Sequence, residues 1–164
     1  MKIRRYPDPV LRIKSDEVAK NNKSLKNIIK QMINGMKLED GVGLAANQVG
    51  ITQRIMVLDI GERPTVLINP ELKFKSKETE SQFEGCLSFP NLNVPVERSK
   101  EVDVEFTDSS GAYQAMHLEG IHARAFQHEL DHLNGVLIID YASPEERFNY
   151  NIYITKEKED YGRS

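Results

Sequence analysis

The 164-residue sequence predicts an α+β fold, with mostly antiparallel sheets packed around one late helix. Three observations carry that reading. An apolar stripe near the start has helical spacing, five runs in the middle are strand-like, and a stretch free of Gly and Pro after them suits a second helix.

The stripe comprises Leu25, Ile28, Ile29, Met32, Ile33 and Met36, which recur at i, i+3 and i+4 and so form one core-facing side. Its methionines need no ligand role. Ser24 is the expected N-cap and Gly41 the expected terminator. Strands are expected at 54–60, 65–69, 94–98, 102–107 and 113–118, with Asp108-Ser109-Ser110-Gly111 as the turn joining the last two. The segment Gly41-Val42-Gly43-Leu44-Ala45-Ala46-Asn47-Gln48 reads as a tight turn packed on the core; it lacks the Lys-Ser/Thr of a phosphate loop. The late helix spans about 123–133 and stops at Asn134-Gly135, because Gly readily takes the left-handed conformation at a helix end. Ser143-Pro144 starts another helix, yet residues 148–155 alternate in polarity and are rich in β-formers, which fits a strand at least as well.

No repeat, low-complexity tract or linker divides the chain, so residues 1–164 are read as one catalytic domain, atypical from about 143. A formal net charge of −3 argues against nucleic-acid binding driven by overall charge. Met1-Lys2-Ile3-Arg4-Arg5-Tyr6-Pro7 has no apolar signal region, and no run is long enough to span a membrane. One thiol suits a reducing compartment, and a cytoplasmic location is expected.

The late helix holds the chemistry. His128-Glu129-Leu130-Asp131-His132 fits H-E-x-x-H, and on an α-helix its two His lie one turn apart on the same face. Two imidazoles so placed share a metal ion, and the intervening Glu reaches a water held by it. Cys86, the sole cysteine, sits in Glu84-Gly85-Cys86-Leu87-Ser88. It is a buried small hydrophobe, a reactive thiol or a third ligand. Two His and one Cys would leave a fourth position open, as catalytic rather than structural sites do. His117 lies in a strand-like run and His122 is off the ligand face, so neither is expected to bind metal. Arg98 and Asp131 read either as an ion pair supporting the site or as a plain surface pair.

Taken together, the three segments resemble the peptide deformylase family, which carries G-x-G-L-A-A-x-Q, E-G-C-L-S and H-E-x-D-H in this order. The resemblance runs from about residue 6 to 140. It implies hydrolysis of the N-formyl group from the initiator methionine of nascent polypeptides, with release of formate. Cys86, His128 and His132 are then the metal ligands and Glu129 the proton-transfer group; the Gln48 amide and the Leu87 backbone N–H face the developing oxyanion. Val42, Gly43, Glu84, Gly85, Ile121, Arg124 and Ala125 are placed at the substrate pocket, although Glu84 in the plain reading is a solvated charge. One divalent ion per chain is expected: the resemblance favours Fe²⁺, and the donor set also admits Zn²⁺, Ni²⁺ or Co²⁺. Many bacterial members end in a long basic helix that docks on the ribosome. Here Lys156-Glu157-Lys158-Glu159-Asp160 mixes signs, so docking is not carried over; a transient ribosome contact stays open, and a monomer is expected.

Two other readings fit the motif helix. A zinc peptidase cutting internal bonds would take Glu145 or Glu146 as third ligand. A non-catalytic binding protein would have no need of Glu129 or Gln48.

Overall fold

The computed structural model describes residues 2–19, 22 and 24–161, with side chains through 157. Helix α1 (Leu25–Leu38) precedes seven strands, β1 (Gly43–Ala45), β2 (Ile55–Leu58), β3 (Thr65–Lys75), β4 (Thr79–Cys86), β5 (Phe89–Ser99), β6 (Glu101–Thr107) and β7 (Tyr113–Glu119). Helices α2 (Gly120–Leu133) and α3 (Pro144–Tyr161) follow. The strands form an antiparallel sheet of order β1-β2-β3-β6-β7 and a β4-β5 hairpin, so the expected α+β class holds.

Strand β2 shows how the layers arise. Its successive side chains point to opposite faces, and all four are buried. Ile55 and Val57 join Ile29, Met32 and Met36 of α1 on one face; Met56 and Leu58 join Ala123, Phe126 and Leu133 of α2 on the other. The helical stripe therefore sits in the core, with Leu25, Ile28 and Ile33 at its half-buried margin. A third cluster, containing Leu11, Phe89, Val94, Val96 and Ile138, closes the hairpin against the end of the chain.

Several boundaries differ from the sequence reading. Ser24 stands at the start of α1 without a side-chain cap bond. Asp40 (φ 50), not Gly41, takes the left-handed turn, and Gly41 N–H closes onto the Met36 carbonyl at 3.0 Å. Part of the supposed turn at 41–48 is strand β1 followed by a 3-10 turn (Ala46–Val49). Strand β4 is polar and went unseen in the sequence; it forms because β5, with Leu92, Val94 and Val96 buried in alternation, templates its backbone.

Residues 148–155 are helical, which decides between the helix and the strand that the sequence left open. A capping box explains the start: Ser143 Oγ accepts from Glu146 N–H, and the Glu146 carboxylate accepts from Ser143 N–H at 2.7 Å. Once the helix is nucleated, Tyr150, Tyr153 and Ile154 fall at i, i+3 and i+4 and face the third cluster. Phe148 is left exposed. Among the described residues no helix is long and apolar enough to cross a membrane.

Candidate metal-binding active site

Helix α2 begins where Gly120, at φ 55, turns its N–H to the Lys100 carbonyl, and it ends at Gly135, φ 76. A Cβ on Gly135 would come within 2.5 Å of the Arg12 carbonyl oxygen, so only Gly fits that turn. Between these stops, His128, Glu129 and His132 are buried on one side, with the two imidazole centroids 5.0 Å apart. The β4–β5 ladder shifts register between Glu84 and Cys86. Such a bulge re-aims a side chain, and here it brings the Cys86 thiol to 3.2 Å from His132 Nε2. One donor atom each from Cys86, His128 and His132 lies within 4.8 Å of the other two, the one metal-capable cluster among the described residues. Glu145 and Glu146 are outside it, which removes the third ligand the peptidase reading needed. So are His122 and His117, the latter held by Asp103 and Glu119 on the sheet.

Electrostatics prepare these groups. The Glu84 carboxylate, far from being solvated, is buried and accepts from Arg98 (3.0 Å twice), Arg124 Nη1 (2.7 Å) and His128 Nδ1 (2.9 Å). Burial opposes its charge, but His128 and Arg98 outweigh that and hold Glu84 down to about 2. The His128 ring is thereby oriented with Nε2 free for a ligand. Arg98 is buried and also meets Asp131 at 2.5 Å, so this pair supports the site and is no surface bridge. Burial disfavours a charged His128 as well, but Cys86 and Glu84 raise it well above its ordinary value; a metal would take the place of that proton. His132 goes the other way, held neutral by burial and by the neighbouring His128 and Arg98.

Glu129 is fully enclosed, and burial lifts its carboxyl to about 7. Its Oε2 has no protein partner. Gly43 makes room for it: a Cβ there would stand 2.6 Å from Glu129 Oε1 and 2.8 Å from Cγ. Gln48 is fixed through Oε1, which accepts from Ala45 N–H at 2.8 Å, so its Nε2 is turned to Cys86 Sγ (3.5 Å) and Ser88 Oγ (3.3 Å). A carboxylate without a partner beside converging N and S donors fits a divalent ion in both charge and ligand type.

All of this opens onto one cavity of about 510 Å³. Val42, Gly43, Gly85, Ile121, Arg124 and Ala125 line it as expected, with Gln48, Cys86, Leu87, His128 and Glu129. Glu84 lines it too, although its oxygens are occupied by the Arg98, Arg124 and His128 bonds. His132 lies buried outside the lining. Gly85 has no left-handed angle; its role is close approach, since a Cβ would sit 3.1 Å from Asn93 Oδ1. The sequence reading missed the wall at Pro90–Asn93, which carries no motif, and Ser88, which stood inside a motif without an assigned role.

An α+β fold in which a thiol and an H-E-x-x-H helix meet at one cavity has the donor set of a metal-dependent hydrolase. The sequence profile of the polypeptide deformylase family matches residues 1–148. A peptide deformylase of Thermotoga maritima is 52% identical over 146 residues, 89% of this chain and 89% of its own. Among solved structures, the peptide deformylase of Legionella pneumophila is 35% identical with a TM-score of 0.91, covering 99% of this chain and 98% of its own. That of Ehrlichia chaffeensis in complex with actinonin is 32% identical with a TM-score of 0.91, over 96% of each chain. The chain belongs to the peptide deformylase family and is a deformylase enzyme.

Proposed function

We propose that this enzyme removes the formyl group from the initiator methionine of newly made polypeptides and releases formate. The observation that carries the reading is the convergence of Cys86, His128 and His132 beside the enclosed Glu129, on a cavity that also presents Gln48. Cys86, His128 and His132 would hold one divalent ion, Fe²⁺ by family resemblance, although Zn²⁺, Ni²⁺ and Co²⁺ suit the same donors. When bound, such an ion lowers the pKa of water from about 15.7 toward 7 and polarises a carbonyl.

The chain's own groups do the rest. Glu129 accepts the proton of the attacking water and delivers it to the leaving amine; a carboxyl near 7 suits both halves of that task. Gln48 Nε2, already oriented by Ala45, and the Leu87 backbone N–H donate to the carbonyl oxygen as it becomes anionic. One such donor typically lowers the barrier by about 3–4 kcal/mol. Val42, Gly43, Gly85, Ile121, Arg124 and Ala125 enclose the methionine side chain. Glu84, which lines this pocket, also orients His128. A monomer acting on nascent chains in the cytoplasm, with at most a transient ribosome contact, is part of the same reading. Since the Ehrlichia chaffeensis relative is solved with actinonin, the same compound should bind here.

The test is a side-by-side assay of formyl-Met-Ala-Ser, its acetyl counterpart and an unformylated control, using Fe²⁺- or Ni²⁺-loaded protein. Gly85 and Cys86 line the cavity where the far side of the carbonyl would sit, whereas Leu44 is buried against α1, and a methyl on that far side should shift the carbonyl off its donors. Formyl-Met should react at least about 10²-fold faster by kcat/KM, the cost of a misplacement near 1 Å. Equal rates, or preferential cleavage of an internal bond, would overturn the proposal.

A further inference from the structure

The cavity has a wall that no motif includes, formed by Pro90, Asn91, Leu92 and Asn93 at the start of β5. Asn91 stands there at φ 63, a left-handed conformation that Asn tolerates better than most residues. A turn of that kind persists only where its surroundings fix it. Two hydroxyls of α3 do so. Tyr150 Oη donates to the Pro90 carbonyl at 3.2 Å, and Asn91 Nδ2 donates to Tyr153 Oη at 2.8 Å. The Tyr153 hydroxyl donates to the Glu157 carboxylate, leaving its oxygen to accept from Asn91. Beneath these bonds Tyr6, Phe89 and Tyr150 form an aromatic cluster, Tyr6 and Phe89 stacked at 5.0 Å and Phe89 and Tyr150 tilted at 5.9 Å. The family match ends at residue 148, so both tyrosines lie beyond it.

We propose that α3 positions the Pro90–Asn93 turn as the surface that receives the peptide residues after formyl-methionine, and so sets affinity for longer substrates. This rests on the deformylase reading of the same cavity. The groups assigned to the reaction are fixed elsewhere: His128, Glu129 and His132 by α2, Cys86 by the hairpin bulge, Gln48 by the 3-10 turn beside β1. Among the described residues none of them hydrogen-bonds to α3, and only Cys86 packs against the cluster that α3 joins. The wall, in contrast, presents the Asn91 and Asn93 amides, which offer donors and acceptors to a peptide, and Asn93 Oδ1 approaches Gly85 beside the thiol. Tyr150 and Tyr153 are thus positioning residues. Loosening them should weaken contacts remote from the formyl group and leave the chemical step alone, a separation visible as KM against kcat.

The test is the double variant Tyr150→Phe/Tyr153→Phe, which keeps both rings in the core and removes both hydroxyls. Metal-loaded full-length protein is assayed with formyl-Met-Ala and with formyl-Met-Ala-Ser-Lys. KM for the longer peptide should rise about two- to tenfold, the scale of one or two neutral hydrogen bonds, while the other three constants stay within about twofold. Asn91→Gly, which retains the left-handed turn but loses both the Tyr153 bond and the amide offered to the peptide, should raise KM for the longer peptide at least as much. Equal KM rises on both peptides, a fall in kcat, or no change on either would overturn the proposal. Calorimetric binding of both peptides to Glu129→Gln protein, with and without the double variant, reads the length dependence independently of turnover. Absence of formate release from the wild type would sink the deformylase reading; length-independent binding would sink this one.

Discussion

Helices α2 and α3 both serve the cavity, but at different distances from its chemistry. Helix α2 sends His128 and Glu129 into it directly and places His132 behind the thiol. Helix α3 reaches it through the Pro90–Asn93 turn, by way of two hydroxyls and an aromatic cluster, and through the third core cluster, against which Cys86 also packs. The difference teaches how a functional residue becomes legible. A side chain that does chemistry is restricted in type and spacing, whereas one that supports a wall need only be large and able to form a single hydrogen bond. The following expectations test that division, from the largest effect to the smallest.

Substitution within the donor set should be the most severe. Cys86→Ala leaves two imidazoles, and both metal content and formate release should collapse; a variant that retains wild-type metal and turnover would exclude the thiol from the site. Gly43→Ala should strike the same centre from the neighbouring strand. Its Cβ would occupy the space of Glu129 Oε1, and a shift near 1 Å should cost about 10²-fold in turnover with metal content kept. Glu129→Gln should give a loss of at least about 10²-fold, again with metal retained. If either loses metal as Cys86→Ala does, Glu129 acts as a ligand and its assignment to proton transfer fails.

The carboxylate behind α2 should show in acid. Glu84 is held at about 2 against an ordinary 4.5, so its folded-state value is depressed. Stability from such a group is present above the ordinary value and is lost as pH falls through the folded one. In chelator, wild type should exceed Glu84→Gln at pH 6 by an amount that shrinks toward pH 2, with a pH-dependent part of at most about 3 kcal/mol. Urea unfolding of both proteins across that range measures it. A constant gap would mean that packing, and not charge, is what Glu84 contributes.

Much of the fold was readable because periodicity reports burial. The α1 stripe, β2, β6 and β7 all appear where apolar residues recur, since each covers a face of the same sheet. Strand β4 was not readable: Thr79, Glu80, Ser81 and Gln82 have neither the pattern nor the composition of a strand and are ordered by β5. Residues 148–155 were ambiguous for a related reason. Their β-formers and polar alternation are local signals, overridden by the Ser143–Glu146 capping box and by burial of Tyr150. At the site, Cys86, His128, His132, Glu129 and Gln48 were legible from residue type and motif. The fourfold use of Glu84 was not, because Arg98 and Arg124 reach it from positions 14 and 40 residues away in sequence.

The smallest effect should come from the cap that starts α3. Ser143→Ala removes the hydroxyl that accepts from Glu146 N–H, and a lost N-cap typically costs about 1 kcal/mol. Because α3 is anchored by Tyr150 and Tyr153 and contributes nothing to the donor set, that cost should stay local. Amide hydrogens of α3 should exchange about fivefold faster, the equilibrium shift that corresponds to about 1 kcal/mol. Those of α2 should keep their protection, since Ala123, Phe126 and Leu133 belong to a different cluster. Formate release from formyl-Met-Ala should be unchanged, because no group assigned to the reaction is held by α3. Hydrogen exchange read helix by helix, with the dipeptide assay on the same sample, decides the matter. If α2 loses protection in step with α3, the two helices open as one cooperative unit, and the separation between a chemical helix and a supporting one does not hold.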